Sequence, residues 1–295
     1  MHALSLIVCH EDHGLSLEKA ILMRLKISRR LFGSVKFQNG LLVNGIPTHT
    51  SHRVSEGETI TVLLPEASFK SIRQHQSVPL DVAFEDDDLL IVNKPAPLPS
   101  QSSFHQPNGT LENHVAAYFA NAHPFVYRPV NRLDKGVSGL MAIAKNAYTQ
   151  HRMQMLLHTD DFIREYLAIT NGILPTPCGV IDAPIGKASA TGIKRCICAE
   201  GKPSVTQYDT LHAFSGKSLL KLRLHTGRTH QIRVHLQSIG CPILGDFLYG
   251  TESNELPGRL ALHSYHIELK HPLTGNAIDL YSSLPYEMER LLKSN

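Results

Sequence analysis

The sequence predicts an α+β protein in two parts, a small α+β unit followed by a larger one built on a mostly antiparallel mixed sheet. Three observations carry this. Strand-like runs and helical patterns intersperse with no strict β-α-β repeat. A polar stretch with little periodicity, residues 65–78, separates residues 1–64 from 79–295 and reads as a linker. The chain has 295 residues, 42% of them hydrophobic, enough for one large core and one small one.

In the small unit Leu4, Leu6 and Val8 alternate as in a half-buried strand. Ser16 caps a helix carrying Leu17, Ile21 and Leu25 at helical spacing, and a second short helix begins after Ser28. Leu41 to Pro47 reads as a strand entering the Asn44-Gly45 turn. Glu56-Gly57 is a further turn ahead of the strand Thr59 to Leu64.

In the large unit Leu89 to Val92 is a short apolar strand closed by Asn93-Lys94-Pro95. Thr110 caps a helix with Leu111, Val115, Tyr118 and Phe119 on one face. Leu140 to Ala144 is a strand, and Asn146 caps the next helix, through about His158. Residues 164–169 form a strand. Leu220, Leu222 and Leu224 face one side of another, with Lys221 and Arg223 on the other side. Thr229 is expected to cap a helix with Ile232, Leu236 and Ile239, stopped by Gly240.

Five scattered cysteines make no disulfide framework and suggest a reduced compartment. Cys196-Ile197-Cys198 has no second pair nearby and reads as strand rather than half a metal site. The start lacks a basic segment of the signal-peptide kind, and no apolar run approaches the roughly 18 residues of a membrane span. The expectation is a cytoplasmic monomer. The net charge of +3 is slight, so a polyanion-binding surface requires clustering. Such a cluster exists in the small unit: Arg24, Lys26, Arg29, Arg30 and Lys36 fall in a stretch without an acid, fit for phosphate contacts.

The chemistry points first to Asn131-Arg132-Leu133-Asp134-Lys135-Gly136, where cations flank an acid just ahead of an apolar strand. Such a carboxylate serves as nucleophile, as base or as a simple salt-bridge partner. Tyr166 follows Arg164 and Glu165 in a strand. Gly227-Arg228-Thr229-His230-Gln231-Ile232-Arg233 feeds a helix whose first turn is cationic, against its own dipole, which suggests a polyanion or an internal carboxylate as partner. The chain has no glycine-rich dinucleotide fingerprint, no H-E-x-x-H and no P-loop.

Together these segments resemble the RluA-type pseudouridine synthases across residues 79–295, with the motifs in family order. Leu89 to Pro95 is similar to the opening strand and Lys-Pro, and Arg132-Leu133-Asp134 with Ser138-Gly139-Leu140 to the catalytic-aspartate motif. Tyr166 falls on the tyrosine of a basic-x-Tyr strand, and Gly227 to Arg233 match the arginine-bearing motif. Leu260 to His263 and His271-Pro272 resemble the closing strands. The chain departs from the family pattern at Asn131, usually His, at Gly136 and Val137, usually acidic and Thr, and at Ser204, often Ala. The small unit resembles an RNA-binding domain found in a ribosomal small-subunit protein and in many RNA-modifying enzymes.

The resemblance implies a pseudouridine synthase fold and isomerisation of uridines within ribosomal or transfer RNA, with no cofactor and no metal. It implies Asp134, Tyr166 and Arg233 as catalytic residues, Arg233 pairing with Asp134. Arg132, Arg228 and His230 would hold flanking phosphates. The alternative is a non-catalytic RNA-binding or ribosome-assembly factor on the same fold. A dead relative would be expected to lose Asp134, Tyr166 or Arg233, and all three are present.

Overall fold

A computed structural model describes residues 3–65, 79–120 and 125–293. The predicted linker, apart from Pro65, lies outside the described residues. Strand β1 (Ala3–Ile7), helices α1 (Leu17–Arg24) and α2 (Arg29–Phe37), and strands β2 (Leu41–Val43), β3 (Ile46–Pro47) and β4 (Thr59–Leu63) form the small unit. Its sheet is antiparallel in the order β1-β4-β2-β3. Both helices start where a serine satisfies a free backbone donor: Ser16 Oγ accepts from Lys19 N at 3.3 Å and Ser28 Oγ from Leu31 N at 3.2 Å. Asn44 and Gly45 both have positive φ (51° and 80°), as a two-residue hairpin turn requires.

This unit is not detached from the rest. Tyr148, on a helix of the large unit, is buried among Leu17, Ile21 and Val54 of the small core, and its hydroxyl donates to Leu25 O at 3.0 Å. Sequence periodicity carries no sign of this docking contact.

The large unit contains β5 (Val82–Glu85), β6 (Leu89–Lys94), α3 (Leu111–Tyr118), β7 (Ser138–Ala144), α4 (Ala147–Leu156) and β8 (Phe162–Asn171). There follow β9 (Cys178–Asp182), β10 (Ile185–Lys187), β11 (Arg195–Ile197), β12 (Val205–Phe214), β13 (Lys217–Leu224), α5 (Gln231–Ser238), β14 (Leu262–Lys270), β15 (Ala277–Tyr281) and α6 (Tyr286–Lys293). The sheet runs β5-β6-β7-β14-β8-β13-β12-β9, with β15 beside the far half of β14, and β10–β11 form a separate hairpin. Among the described residues only the β7–β14 pairing in this sheet is parallel; the fold is the predicted α+β with a mostly antiparallel mixed sheet.

The apolar strands feed two cores. Leu90 and Val92 of β6, with Met141 and Ile143 of β7, join the core that holds α3, α5 and α6. Leu89 and Ile91, with Leu140, Ala142 and Ala144, join a second core with Met153 of α4. A strand buried on both faces has no polar side to show, which explains the unbroken hydrophobic runs. Where β7 meets β14, Gly139 adopts φ +109°, and a Cβ there would lie 2.7 Å from the backbone N and C of Ser264. Only glycine permits this approach, and it brings the segment before β7 against the strand that carries Tyr166's neighbours.

Candidate active site

The segment before β7 carries Asp134, and several backbone ties fix it. Ser100 Oγ donates to Leu133 O at 2.5 Å, and Leu98 N donates to Lys135 O at 2.9 Å. Leu260 N donates to Gly136 O at 2.9 Å. A Cβ at 136 would collide with Leu260 Cδ1, so this chain's glycine is matched by the leucine that fills its space. Asn131 Oδ1 accepts from Ala142 N at 2.9 Å and so also serves as a brace. Behind the loop, Lys94 is fully buried and bonds the carbonyls of Pro95 (3.0 Å) and Leu98 (2.6 Å). Burial pushes its pKa down to about 7, with Arg259 adding to the fall and the Asp134 charge opposing it.

The flanking residues Arg132 and Lys135 are exposed, and neither lies within 4.0 Å of the Asp134 carboxylate. Its partner comes instead from α5: Arg233 Nη1 donates to Asp134 Oδ2 at 2.8 Å. Arg233 is itself held from behind. Its Nε and Nη2 donate to the two oxygens of Asp246, at 2.7 and 2.8 Å, and Asp246 also accepts from Leu248 N and Tyr249 N. One guanidinium therefore bridges a half-exposed carboxylate and a fully buried one. Burial alone would lower the Arg233 pKa; its bonds to Asp246 and the charges of Asp134 and Asp246 reverse that and hold it above the ordinary value.

Asp246 has no motif of its own. It follows Gly245 in what reads as an ordinary turn, and only the fold reveals its role. Breaking a buried charge pair from one side leaves the other charge uncompensated, at a cost of about 3–5 kcal/mol. Asp246→Asn should therefore lower stability to denaturant by roughly that amount in wild type, and by far less when Arg233 is already methionine. Equal losses in both backgrounds would mean that the two side chains are not coupled.

Helix α5 does not start on Thr229 as expected. The residue at the cap is His230, in the left-handed conformation (φ 59°), without a capping side-chain bond. Gln231 organises the turn instead, its Oε1 accepting from Arg228 N and Thr226 Oγ1, both at 2.9 Å. The left-handed residue turns His230 inward, with Nδ1 2.8 Å from the Tyr249 hydroxyl and Nε2 3.7 Å from Asp134 Oδ2. That hydroxyl accepts from Arg195 N at 2.7 Å and is free to donate to Nδ1, which puts the imidazole proton on Nε2, facing the aspartate. Burial, helped by Arg233 and Arg195, keeps the His230 pKa below its usual value despite Asp134 and Asp246.

Tyr166, on β8, is buried and faces Ser264 across the β8–β14 pairing. Burial raises its pKa and the Asp134 charge adds to this, while Arg164 and Ser264 oppose it. Asp134, Tyr166, Arg132, Arg228 and His230 all line one cleft of about 530 Å³. A recess of about 70 Å³ adjoins it, bounded by Asp134, Tyr166, Arg233, Leu224, Ile232 and Leu262. A carboxylate thus opens beside an aromatic ring and an apolar floor.

The cationic cluster of the small unit lies apart in the sequence and in its own sheet unit. Lys26, Arg29, Arg30 and Lys36 are exposed, with no carboxylate within 4.0 Å among the described residues. Arg24 is different: its Nη1 bonds Asp12 Oδ2 at 2.9 Å and Cys9 Sγ at 2.8 Å.

Three acid or histidine side chains elsewhere, Asp86, Asp88 and His271, lie close enough to hold an ion. His271 Nδ1 accepts from Thr274 N (3.0 Å) and Leu273 N (3.3 Å), and its Nε2 lies 3.1 Å from Asp86 Oδ2 without the geometry of a hydrogen bond. The three side chains set the β5–β6 turn beside the end of β14.

Residues 88–238 match the RNA pseudouridylate synthase family. The chain is 34% identical over 271 residues to the uncharacterized RNA pseudouridine synthase YjbO of Bacillus subtilis, covering 91% of this chain and 95% of that one. It is 37% identical over 299 residues to the ribosomal large subunit pseudouridine synthase D of Nitrosomonas europaea, covering 95% and 84%. The solved human RNA pseudouridylate synthase domain containing 4 superposes with a TM-score of 0.59 at 25% identity, over 72% of this chain and 92% of that one. Fold and family together define an isomerase that acts on uridine in RNA. The chain belongs to the RNA pseudouridylate synthases, as a member of their RluA-type branch.

Proposed function

We propose that this protein converts specific uridines of structured ribosomal or transfer RNA to pseudouridine, with Asp134 as the essential acid and no cofactor. The observation that carries the reading is the Asp134–Arg233–Asp246 bridge, opening beside Tyr166 in a cleft. The sugar's bond to the ring nitrogen breaks, the uracil turns, and a bond forms from the same sugar carbon to ring carbon 5. Carbon 5 then loses its proton and the nitrogen gains one, so nothing is added or lost. Asp134 acts either on the anomeric carbon as nucleophile or on the adjacent sugar carbon as base. Both roles need the ionised carboxylate that Arg233 aims and His230 Nε2 faces. Tyr166 stacks on the uracil, which leaves its helix or loop to reach the acid, and its hydroxyl, protonated because burial raises its pKa, takes the carbon-5 proton only as it passes its own proton on toward the ring nitrogen.

Tyr166→Phe should keep RNA affinity and lose turnover by about 10²–10⁴-fold, the usual contribution of a positioned proton acceptor. Weaker binding with normal turnover would make Tyr166 a binding residue only.

Residues 1–64 form an RNA-binding domain joined through 65–78 to the catalytic domain 79–295, in a monomeric cytoplasmic enzyme. Because Tyr148 packs into the small core, deleting that domain would uncover an aromatic side chain; charge removal is the cleaner test. Neutralising Lys26, Arg29, Arg30 and Lys36 together should weaken RNA binding and flatten log affinity against log salt by about 0.7–0.9 for each phosphate that the protein no longer neutralises. An unchanged slope would make the cluster a solvated face. Arg132 and Arg228 serve flanking phosphates at the cleft. Pseudouridine mapping of total RNA from cells with and without the gene identifies the target. The names of the relatives point first to large-subunit ribosomal RNA, and an identical map in both cells would sink the reading.

A further inference from the structure

Of the three buried arginines among the described residues, two have carboxylate partners: Arg233 has Asp134 and Asp246, and Arg259 has Glu287. Arg164 does not. It is 3% exposed, yet no carboxylate lies within 4.0 Å among the described residues. Its Nη2 donates to Leu157 O at 3.0 Å, at the end of α4, and its buried Nε has no partner. The guanidinium sits 5.6 Å from the Phe162 ring centre. The bond to Leu157 uses one of five donors and answers the negative end of a helix dipole. A neutral amide would make that bond without burying a charge, so it does not account for the cation.

The surroundings of Arg164 are cationic and border the cleft. Arg164 lines the same cleft as Asp134 and Tyr166. It precedes Tyr166 by two residues on β8, so both side chains leave the same face of the strand, about 7 Å apart. That is within the reach of one nucleotide. Gly227 packs against the guanidinium: a Cβ there would lie 3.2 Å from Arg164 Nη1 and 3.7 Å from His158 Cε1, so a larger residue would crowd this corner of the cleft. His158 and Arg228 converge on this corner. Burial and the charges of Arg164 and Arg228 hold the His158 pKa below its usual value. Arg228 Nε donates to a carbonyl, Pro203 O at 3.1 Å, and among the described residues no carboxylate lies within 4.0 Å of Arg228. Unpaired buried charge is costly, and here it faces the cleft that receives a polyanion.

We propose that Arg164, with Arg228 and His158 beside it, is the receptor for the RNA phosphodiester attached to the target uridine. The inference rests on the RNA-isomerising reading above. It fixes the backbone while the base turns, since the fork of a guanidinium holds a phosphate by two bonds. The uracil rotates between bond breaking and bond making, so a tether that does not rotate keeps sugar and Asp134 in register.

The probe is a fluorescent single-stranded pentanucleotide with one uridine among cytidines, made also with each linkage in turn replaced by a neutral methylphosphonate. Binding is measured at low salt to the Asp134→Asn protein, which does not turn it over. Neutralising one linkage beside the uridine should weaken binding about tenfold, the size of one charge-assisted hydrogen bond. In Asp134→Asn carrying Arg164→Met, the unmodified RNA should bind about tenfold more weakly and the same replacement should cost nothing further. Arg164→Met should melt no lower than its parent. Arg164→Lys, which keeps the charge and can reach Leu157, should leave a penalty of a few-fold and covers the case in which the methionine protein does not fold. A linkage penalty that persists without Arg164, equal effects at every linkage, or no detectable capture of the pentamer overturns the proposal. Wild-type isomerisation is scored separately. Isomerisation without an Arg164-dependent linkage removes the receptor and leaves the activity; the converse removes the activity and leaves the receptor.

Discussion

Asp134→Asn should lower single-turnover isomerisation by on the order of 10⁴-fold or more while RNA affinity stays within a few-fold of wild type. The amide keeps the shape of the carboxylate and still accepts a bond from Arg233, so the loop held by Ser100, Leu98 and Leu260 stays in place. What disappears is the negative charge, and with it both the nucleophile and the base. Because Asp134 is the cleft's half-exposed acid and not part of the core, its removal should hardly change the unfolding midpoint. Activity within tenfold of wild type in a single-turnover assay would refute the assignment, whatever the affinity.

Arg233→Lys should be nearly as damaging, despite conserving the charge. Arg233 makes three bonds to two carboxylates in one plane: Nη1 to Asp134 and Nε with Nη2 to Asp246. An ammonium is a point charge on a flexible stem and cannot aim one acid while gripping another. With Asp246 fully buried, the lysine will side with it, because that carboxylate has no access to water. Asp134 then loses its 2.8 Å partner. We expect turnover to fall by about 10²–10³-fold, the scale of one missing preorganised donor, with RNA affinity little changed. Wild-type rates for Arg233→Lys across the neutral pH range would show that the bridge is not what readies Asp134.

The sequence exposes those parts of the fold that depend on local chemistry. Ser16, Ser28, Thr110 and Asn146 all cap helices, since a short side-chain oxygen ahead of an apolar helical pattern has one good use. The strands β6 and β7 are visible because burial on both faces leaves them wholly apolar. Thr229 misled because capping residues are judged singly. Here the Gln231 side chain satisfies the turn, and His230 takes a left-handed conformation that aims its imidazole at Asp134.

The site was only half legible, for the same reason. Asp134, Tyr166 and Arg233 are recognisable through their motifs, and the resemblance implies the Arg233–Asp134 pair, but the local charge pattern by itself points to Arg132 and Lys135 as partners for the acid. The true partner, Arg233, stands 99 residues away. Asp246 carries no periodicity, and the lack of a counter-ion at Arg164 cannot be read from a string of residues at all. The docking of Tyr148 into the small core is likewise a long-range event hidden inside an ordinary helix pattern.

On the proposed function, this cleft isomerises uridine in RNA with its own side chains. The most direct measurement is release of tritium from carbon 5 of uridine in transcribed large-subunit ribosomal RNA, with a strong chelator present and no added cofactor. Tritium release should be matched one for one by pseudouridine, with intact strands, and none should come from the Asp134→Asn protein. Strand cleavage, chelator-sensitive release, or equal release by the asparagine variant would contradict it.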